Sequence, residues 1–123
     1  MILNPGSGPG SSQYPSNDYV SQIQRLNTYL NVRTIGYVPT GYASRNITSV
    51  LHDVSTYSGW AAYPTTKTNS TGLAVHGIFF DEAPYEYSEE AADYLKTINR
   101  AVKNASGLLP DRMVSEQTSP YDF

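Results

Sequence analysis

An α/β fold built on a parallel sheet is the fold class that this sequence predicts. Short apolar or β-branched runs alternate with amphipathic segments of helical period in the order β-α-β-α-β-α, and polar residues cluster after each run. Such alternation specifies a parallel sheet with right-handed crossovers. Two architectures stay open, a small doubly wound sheet and a slice of an eight-stranded barrel, because both place their sites at the carboxyl ends of strands.

The first unit is a short strand, a long loop and a helix. Met1 to Asn4 is apolar and stops at the Pro- and Gly-rich stretch 5–12. With Asn17 or Asp18 as N-cap, apolar residues then recur every three or four positions, which predicts a helix ending near Asn31. The loop lacks the dinucleotide spacing and the P-loop lysine, so we interpret it as a turn or a rigid wall.

The second unit repeats this order. Residues Val32 to Val38 are rich in β-branched side chains and predict a strand that ends in the loop 39–42. Asn46 is placed to cap a helix from Ile47 to Tyr57, whose apolar residues again have helical spacing. The connection that follows contains the only tryptophan, Trp60, which we interpret as a packing residue.

The third unit contains the most apolar strand. Leu73 to Phe80 is nearly continuous apolar sequence, the pattern of a strand buried on both faces. Ser88 opens a helix that continues through Val102, and Gly107 is the predicted C-cap. The run Leu109 to Val114 is a weaker candidate for a fourth strand, since it contains a proline and two charges.

Composition and charge argue against several classes of function. The 123 residues carry a net charge of -3 and eight scattered Lys and Arg residues, which argues against nucleic acid as a partner. No apolar run approaches the roughly 20 residues that a membrane span needs. Without cysteine or a His-x-x-x-His spacing, we expect neither a metal site nor a cofactor.

Two adjacent carboxylates, Asp81 and Glu82, are the strongest chemical feature. They follow directly after the apolar run that ends at Phe80, where a strand emerges at the edge of its sheet. Glycosidases use a carboxyl pair, one as proton donor and one as nucleophile or base. The plain alternative is that one of them merely caps a turn before Pro84.

Tyrosine is the second clue, with eleven residues of this type in the chain. Five lie at or after predicted strand ends: Tyr37, Tyr42, Tyr63, Tyr85 and Tyr87. A tyrosine ring offers an apolar face and its hydroxyl a hydrogen bond, which suits stacking on a sugar ring. For any one of them, packing in the core is the competing interpretation.

The triplets at Asn46, Asn69 and Asn104 are N-glycosylation sequons, a density typical of a secreted or cell-surface chain. The first residues, Met1 to Pro5, have neither the basic start nor the apolar core of a signal peptide. The two signals conflict, and they indicate either an intracellular chain or one that lacks its front part.

Four motifs in this order resemble a known family. They are Ile2-Leu3-Asn4-Pro5 with Gly8-Pro9-Gly10, Arg33 to Val38 with Thr40 and Tyr42, Val54 to Trp60, and Gly77 to Pro84. From Met1 to about Val114 the chain is similar to the spherulation-specific family 4, or spherulin 4-like, proteins. The resemblance implies a (β/α)8 (TIM) barrel and secreted endo-acting hydrolysis of α-1,4-linked N-acetylgalactosamine (GalNAc) in the polysaccharide galactosaminogalactan.

The resemblance also implies site residues. Asp81 and Glu82 match the acidic catalytic residues of the family. Five further residues are expected to contact the sugar: Asn4, Tyr37, Thr40, Tyr42 and Tyr85.

Full-length family members have a signal segment, an earlier strand and a later active-site glutamate that this sequence lacks. The expectation is therefore a single incomplete barrel domain, residues 1–123, with about three βα units and a divergent tail from about residue 115. Such a chain should hydrolyse sugar weakly and self-associate through open sheet edges.

Two other functions remain open from the sequence. One is a non-catalytic cell-surface protein that holds carbohydrate, and the other is nucleotide binding by a small doubly wound sheet. The barrel interpretation makes specific structural predictions. The three strands should be parallel and adjacent in chain order, with Asn4, Tyr37 and Asp81 near their carboxyl ends, and Asp81 should share the inner face with Gly77 and Phe79.

Overall fold

The computed structural model describes residues 1–29, 31–63, 72–84, 86–109 and 113–116. Within these ranges, three helices and four strands alternate. They are β1 (Ile2–Leu3), α1 (Asn17–Leu26), β2 (Ile35–Pro39), α2 (Ile47–Gly59), β3 (Gly77–Asp81), α3 (Glu89–Asn104) and β4 (Met113–Glu116), with a short 3-10 turn at Trp60–Ala62. The predicted α/β class is confirmed, as three βα units and a fourth strand.

The four strands form one parallel sheet in the order β1-β2-β3-β4. Ile35 pairs with Ile2 on one side and with Gly77 on the other, and the register continues until Pro39 faces Asp81. The prediction of adjacent parallel strands in chain order is confirmed. The loops that follow β1, β2 and β3 therefore leave the same edge of the sheet, which we call the carboxyl rim.

The two faces of the sheet differ in burial. Val38, Ile78 and Phe80 are buried in the core that the helices cover. Phe79 and Asp81 point to the opposite face and are only half-buried. Because side chains alternate along a strand, this pattern confirms that Asp81 lies on the face away from the helices.

Two side-chain caps start the second and third helices as the sequence predicts. Asn46 Oδ1 accepts a hydrogen bond from the Thr48 amide at 2.8 Å, and Ser88 Oγ accepts one from the Ala91 amide at 3.0 Å. Each satisfies an amide that has no partner within its helix. The caps fix where the polypeptide turns from the carboxyl rim into α2 and α3.

Trp60 anchors the core at the end of α2. Its ring is fully buried and packs edge-on against Tyr57, with 4.8 Å between ring centroids. The interpretation of Trp60 as a packing residue is confirmed.

Near the amino ends of the strands, the element boundaries differ from the predicted ones. Helix α1 ends at Leu26 rather than near Asn31. The side-chain amide of its C-cap, Asn27, donates to the carbonyls of Gly72 and Ala74 at 3.3 and 2.8 Å, while the Asn27 backbone amide still donates to the Ile23 carbonyl. The predicted starts of β2 and β3, residues 32 and 73, are likewise too early, since the ladder begins at Ile35 and Gly77.

The side chains just before β2 and β3 replace that missing part of the ladder. The Thr34 amide donates to His76 Nδ1 at 3.1 Å, while the His76 amide donates to the Thr34 carbonyl at 2.7 Å. The Thr34 hydroxyl lies 3.0 Å from Asn27 Oδ1 and donates to it. A polar cluster therefore joins α1 to the amino ends of the two central strands.

The prediction that Gly107 caps α3 is wrong. The helix ends at Asn104, and its C-cap Ala105 is extended. Gly107 instead passes against the end of α2, where a Cβ would lie 1.8 Å from the Ser58 carbonyl oxygen and where its amide donates to Ser58 Oγ at 3.0 Å. Glycine is needed here for close approach of two backbones, not for a left-handed turn.

The weaker fourth strand is present, although it begins at Met113 and continues to Glu116 in parallel register with β3. Residues 115 and 116 therefore belong to the sheet. Residues 117–123 of the predicted tail lie outside the described residues.

Candidate active site

The Asp81 carboxylate is at the centre of the carboxyl rim. It is the last residue of β3, and both of its oxygens accept a hydrogen bond. Tyr37 Oη donates to Oδ2 at 2.6 Å, and the Glu82 amide donates to Oδ1 at 2.8 Å. An ionised carboxylate is an acceptor only, so this arrangement suits a negatively charged Asp81 held in one orientation.

Tyr37 supplies both a hydrogen bond and an aromatic face. Its backbone lies in the middle of β2, opposite Phe79. Only its hydroxyl extends to the carboxyl end of the strands, where it bonds to Asp81. The Tyr37 and Phe79 rings are tilted by 30° with centroids 6.2 Å apart. The hydrogen bond to Asp81 raises the pKa of Tyr37 to about 12, with smaller contributions from burial and from the charges of Asp81 and Glu82.

Glu82 follows Asp81 with a left-handed backbone, at φ 61°. Because β3 ends at Asp81, the alternation of the strand stops there, and the side chain of Glu82 is not forced onto the helix side. Glu82 is half-buried. Asp81 and Glu82, the two carboxylates predicted to act in the site, therefore both lie at the carboxyl rim.

Thr40 and Tyr42 come from the loop after β2 and meet Asp81 and Glu82 directly. Thr40 is 1% exposed, and its hydroxyl lies 2.9 and 2.8 Å from the carbonyl oxygens of Asp81 and Glu82. The Tyr42 amide donates to the Glu82 carbonyl at 2.7 Å, while the Tyr42 side chain is 44% exposed. The Tyr42 side chain is therefore exposed at the rim, whereas the Thr40 hydroxyl is engaged with the backbone.

Asn4 shapes the loop after β1. Its Oδ1 accepts a hydrogen bond from the Gly8 amide at 2.9 Å, and its carbonyl accepts one from Tyr19 Oη at 3.2 Å. Of the other tyrosines named from the sequence, Tyr63 packs edge-on against Tyr14, at 5.0 Å between centroids, and Tyr87 is 58% exposed.

Tyr85 lies outside the described residues, so its expected contact with the sugar stays a prediction.

Tyr57 connects β1 and β2 from the helix-covered face of the sheet. Its hydroxyl donates to the Tyr37 carbonyl at 2.8 Å and lies 3.2 Å from the Leu3 carbonyl. Its ring occupies the space beside Gly36, where a Cβ would lie 2.6 Å from ring carbons. Burial raises the pKa of Tyr57 above its usual value, which keeps the hydroxyl protonated as a donor.

An ion pair that the sequence patterns did not predict lies next to the loop after β2. Arg45 Nη1 lies 2.7 Å from Asp53 Oδ2 and also donates to the Pro39 carbonyl at 3.0 Å. Asp53 is buried, at 9% exposure, on the face of α2 that carries Val50, Val54 and Tyr57. The sequence does contain a signal for this ion pair, because Asp53 falls on the apolar face of a predicted helix and a buried charge requires a partner.

Beside the rim, a cleft of about 350 Å³ opens next to the exposed Tyr42 ring. Its lining comes from the loops after β2 and β3 and from the start of α3, namely Tyr42, Ala43, Pro84, Glu86, Ser88, Glu90 and Ala91. The loops that hold Asp81 and Glu82 therefore also form a concave surface.

Within the described ranges, no group of three or more His, Cys, Asp or Glu side chains is arranged to hold a metal ion. In the same part of the chain, no helix is both long enough and apolar enough to cross a membrane.

Comparisons with known proteins agree with the resemblance seen in the motifs. The profile of spherulation-specific family 4 matches residues 1–118. Among solved structures, the chain is similar to Aspergillus clavatus Sph3, crystallised in complex with GalNAc, at 46% sequence identity and a TM-score of 0.84. The match covers 94% of this chain and 44% of the Sph3 chain. A comparison with curated proteins gives no significant match.

The structural likeness confirms the expected fold class, a partial (β/α)8 barrel, in which β1 to β4 are consecutive parallel strands. The chain spans less than half the length of the Sph3 chain.

Proposed function

The chain belongs to spherulation-specific family 4, and on that premise we propose that its carboxyl rim binds a GalNAc-containing polysaccharide and hydrolyses it. The substrate class is α-1,4-linked N-acetylgalactosamine, as in galactosaminogalactan. The observation that carries the proposal is the Asp81 carboxylate, oriented by the Tyr37 hydroxyl and followed at once by Glu82. The GalNAc complex of the similar Sph3 structure supports the sugar chosen.

The hydrogen bonds suggest a division of labour. Glycoside hydrolysis needs one carboxylate as nucleophile or base and one carboxyl group as proton donor. Asp81, whose two oxygens both accept hydrogen bonds, fits the first role, because those bonds stabilise the charged acceptor. The proton donor is then a second carboxyl, for which Glu82 is the candidate in this chain.

Aromatic side chains provide the surface on which the sugar would stack. Tyr37 and Phe79 lie on the half-buried face of the sheet next to Asp81, and the ring of Tyr42 is exposed at its edge. The apolar face of a pyranose packs well against such rings. Asn4 would contribute by shaping the loop after β1, and Tyr85 is proposed as a further contact.

Replacement of Asp81 tests the proposal. The purified chain should release reducing ends from an α-1,4-linked GalNAc oligosaccharide, and Asp81→Asn should lower that rate at least about 10³-fold because it removes the charged group that acts on the sugar. The matched control is Asp93→Asn, the same change on the exposed side of α3, which should leave the rate unchanged.

Two results would count against hydrolysis at Asp81. One is equal activity of Asp81→Asn and wild type. The other is binding of the oligosaccharide without any cleavage by wild type, which would support the alternative of a non-catalytic carbohydrate-binding protein.

We further propose a secreted or cell-surface location with N-linked glycans. Of the three sequons, Asn46 and Asn104 are exposed, at the start of α2 and the end of α3, and Asn69 lies outside the described residues. Expression in a secretory eukaryotic host should give a product whose mass falls on enzymatic deglycosylation, and an unchanged mass would contradict this.

Self-association through sheet edges stays a prediction, for which sedimentation velocity of the 123-residue chain is the measurement.

A further inference from the structure

Left-handed backbone conformations in residues other than glycine concentrate at the carboxyl rim. Among the described residues there are four, Ser7, Tyr42, Ala43 and Glu82, with φ between 51° and 67°. All four lie in the loops that follow β1, β2 and β3. Such conformations are unfavourable for L-residues because Cβ approaches the following carbonyl oxygen, and they persist only when surrounding contacts hold them.

Contacts between two of these loops hold Glu82. The Tyr42 amide donates to the Glu82 carbonyl at 2.7 Å, and the Thr40 amide donates to the Asp81 carbonyl at 3.0 Å. The Thr40 hydroxyl lies between the carbonyls of Asp81 and Glu82, at 2.9 and 2.8 Å. A hydroxyl has a single proton, so these two carbonyls share it, and both are oriented toward Thr40.

The loop that carries Thr40 is itself anchored from two helices. The Arg45 amide closes the loop on the Thr40 carbonyl at 3.1 Å, and the Arg45 side chain pairs with Asp53 of α2. From α3, the Tyr94 hydroxyl donates to the Arg45 carbonyl at 2.7 Å. Thr40 is therefore buried and held in place, and its hydrogen bonds hold the left-handed backbone at Glu82.

We propose that Thr40 is a positioning residue that keeps Glu82 left-handed and thereby orients the Asp81–Glu82 carboxyl pair. The role assigned to the pair rests on the proposed function, but the positioning itself is a statement about backbone geometry. A buried side chain with its hydroxyl between two carbonyls acts through these residues and not by touching the sugar. This indirect role differs from the sequence-based prediction, in which Thr40 contacts the substrate.

The coupling from Thr40 to Asp81 passes through one amide. The Asp81 carbonyl and the Glu82 amide belong to one planar peptide unit, so the bonds from Thr40 to that carbonyl also fix the direction of the amide. When this unit rotates, the amide turns away from Asp81 Oδ1, which it now reaches at 2.8 Å. The Asp81 carboxylate is then held by Tyr37 alone and is free to rotate about that contact. A change in the hydrogen bonds of Thr40 should therefore change the environment of the Tyr37 hydroxyl.

The experiment compares substitutions at three positions of the full chain: Thr40, Thr34 and Tyr94. Thr40→Val keeps the shape and removes the hydroxyl, and Thr40→Ser keeps the hydroxyl. The matched control is Thr34→Val, since Thr34 is equally buried, at 0% exposure, and lies near the opposite end of β2 with its hydroxyl bonded to Asn27. Tyrosine labelled with ¹³C at Cζ gives one NMR signal per residue at neutral pH, and Tyr37→Phe assigns that of Tyr37.

Thr40→Val should shift the Tyr37 signal, whereas Thr40→Ser and Thr34→Val should leave it in place. With an α-1,4-linked GalNAc oligosaccharide, Thr40→Val should lower kcat about 10- to 100-fold with KM within twofold, since a misplaced group costs rate more than binding. Thr40→Ser should restore most of the loss. Tyr94→Phe, which frees the same loop from α3 without changing Thr40, should shift the signal in the same direction.

An unchanged Tyr37 signal in both Thr40→Val and Tyr94→Phe would overturn the proposal, as would an equal shift in Thr34→Val, which would indicate general loosening. Tyr94→Phe also decides the matter when Thr40→Val does not fold. Absence of sugar cleavage by the wild type would contradict the proposed function alone, because the NMR comparison still determines whether Thr40 positions Asp81.

Discussion

Two buried threonines of similar environment lie near opposite ends of β2. Thr34, just before the strand, bonds to Asn27 and His76, and all three have ordinary backbone conformations. Thr40, just after the strand, bonds to the carbonyls of Asp81 and Glu82, and Glu82 is left-handed. The same side chain is thus used at one end to complete a regular ladder and at the other to hold an unfavourable conformation.

This difference indicates that contacts at the amino ends of the strands stabilise the fold, whereas those at the carboxyl ends hold the candidate site. At the amino ends, close backbone approach and satisfied polar groups join the helices to the sheet. At the carboxyl ends, exposed aromatic rings and two carboxylates are held by strained loops. Barrel enzymes place their sites at the carboxyl ends of strands, so the part of the molecule that stores strain is the part expected to bind a ligand.

The largest stability effect should come from the amino-end side, at Gly107. Gly107→Ala should lower the free energy of unfolding by about 3 kcal/mol, because the new Cβ would lie 1.8 Å from the Ser58 carbonyl oxygen and one backbone must move. The matched control is Gly59→Ala in α2, where a Cβ meets nothing within 4 Å. Alanine there should leave stability equal or raise it by up to about 1 kcal/mol.

Urea unfolding of both variants is the measurement. Equal stability of Gly107→Ala and wild type would show that the segment before β4 is not packed against α2, and it would remove the contrast between the two ends.

A smaller effect should appear at alkaline pH and concern the carboxyl rim. The hydrogen bond to Asp81 raises the pKa of Tyr37 from 10.0 to about 12, so the folded state binds this proton more tightly than the unfolded state. The corresponding stabilisation is complete below pH 10 and is lost as the pH rises through 12. The free energy of unfolding of wild type should therefore fall more steeply between pH 10 and 12 than that of Tyr37→Phe.

Both proteins keep the other buried tyrosines, including Tyr57 and Tyr94, so their difference isolates Tyr37. Parallel stability curves for the two proteins over that pH range would mean that the phenol does not bond to the Asp81 carboxylate in solution.

Much of the fold was predictable because its signals are local. The caps Asn46 and Ser88, the helical spacing of α2 and α3, and the apolar run that leads to Asp81 act within a few residues of chain. They fix which elements form and at which edge of the sheet the carboxylates emerge. The motifs then identify the family, and with it the barrel.

The remainder depends on contacts between distant segments. The Asn27 side chain after α1 bonds to residues 45 and 47 positions away, and Gly107 is needed because a Cβ there would lie 1.8 Å from the Ser58 carbonyl oxygen. The role of Thr40 likewise depends on carbonyls about 40 residues later in the chain. Such contacts follow from how the loops meet in three dimensions, which no local pattern encodes.

The most direct test of the central claim is an NMR titration of the ¹⁵N-labelled chain with an α-1,4-linked GalNAc oligosaccharide. We expect the largest amide shifts in the rim segments 40–42 and 79–82, while the amides of Asn27, Thr34 and His76 at the amino ends stay in place. Largest shifts at those amino-end residues, or no shifts at any oligosaccharide concentration, would contradict a sugar site at the carboxyl rim.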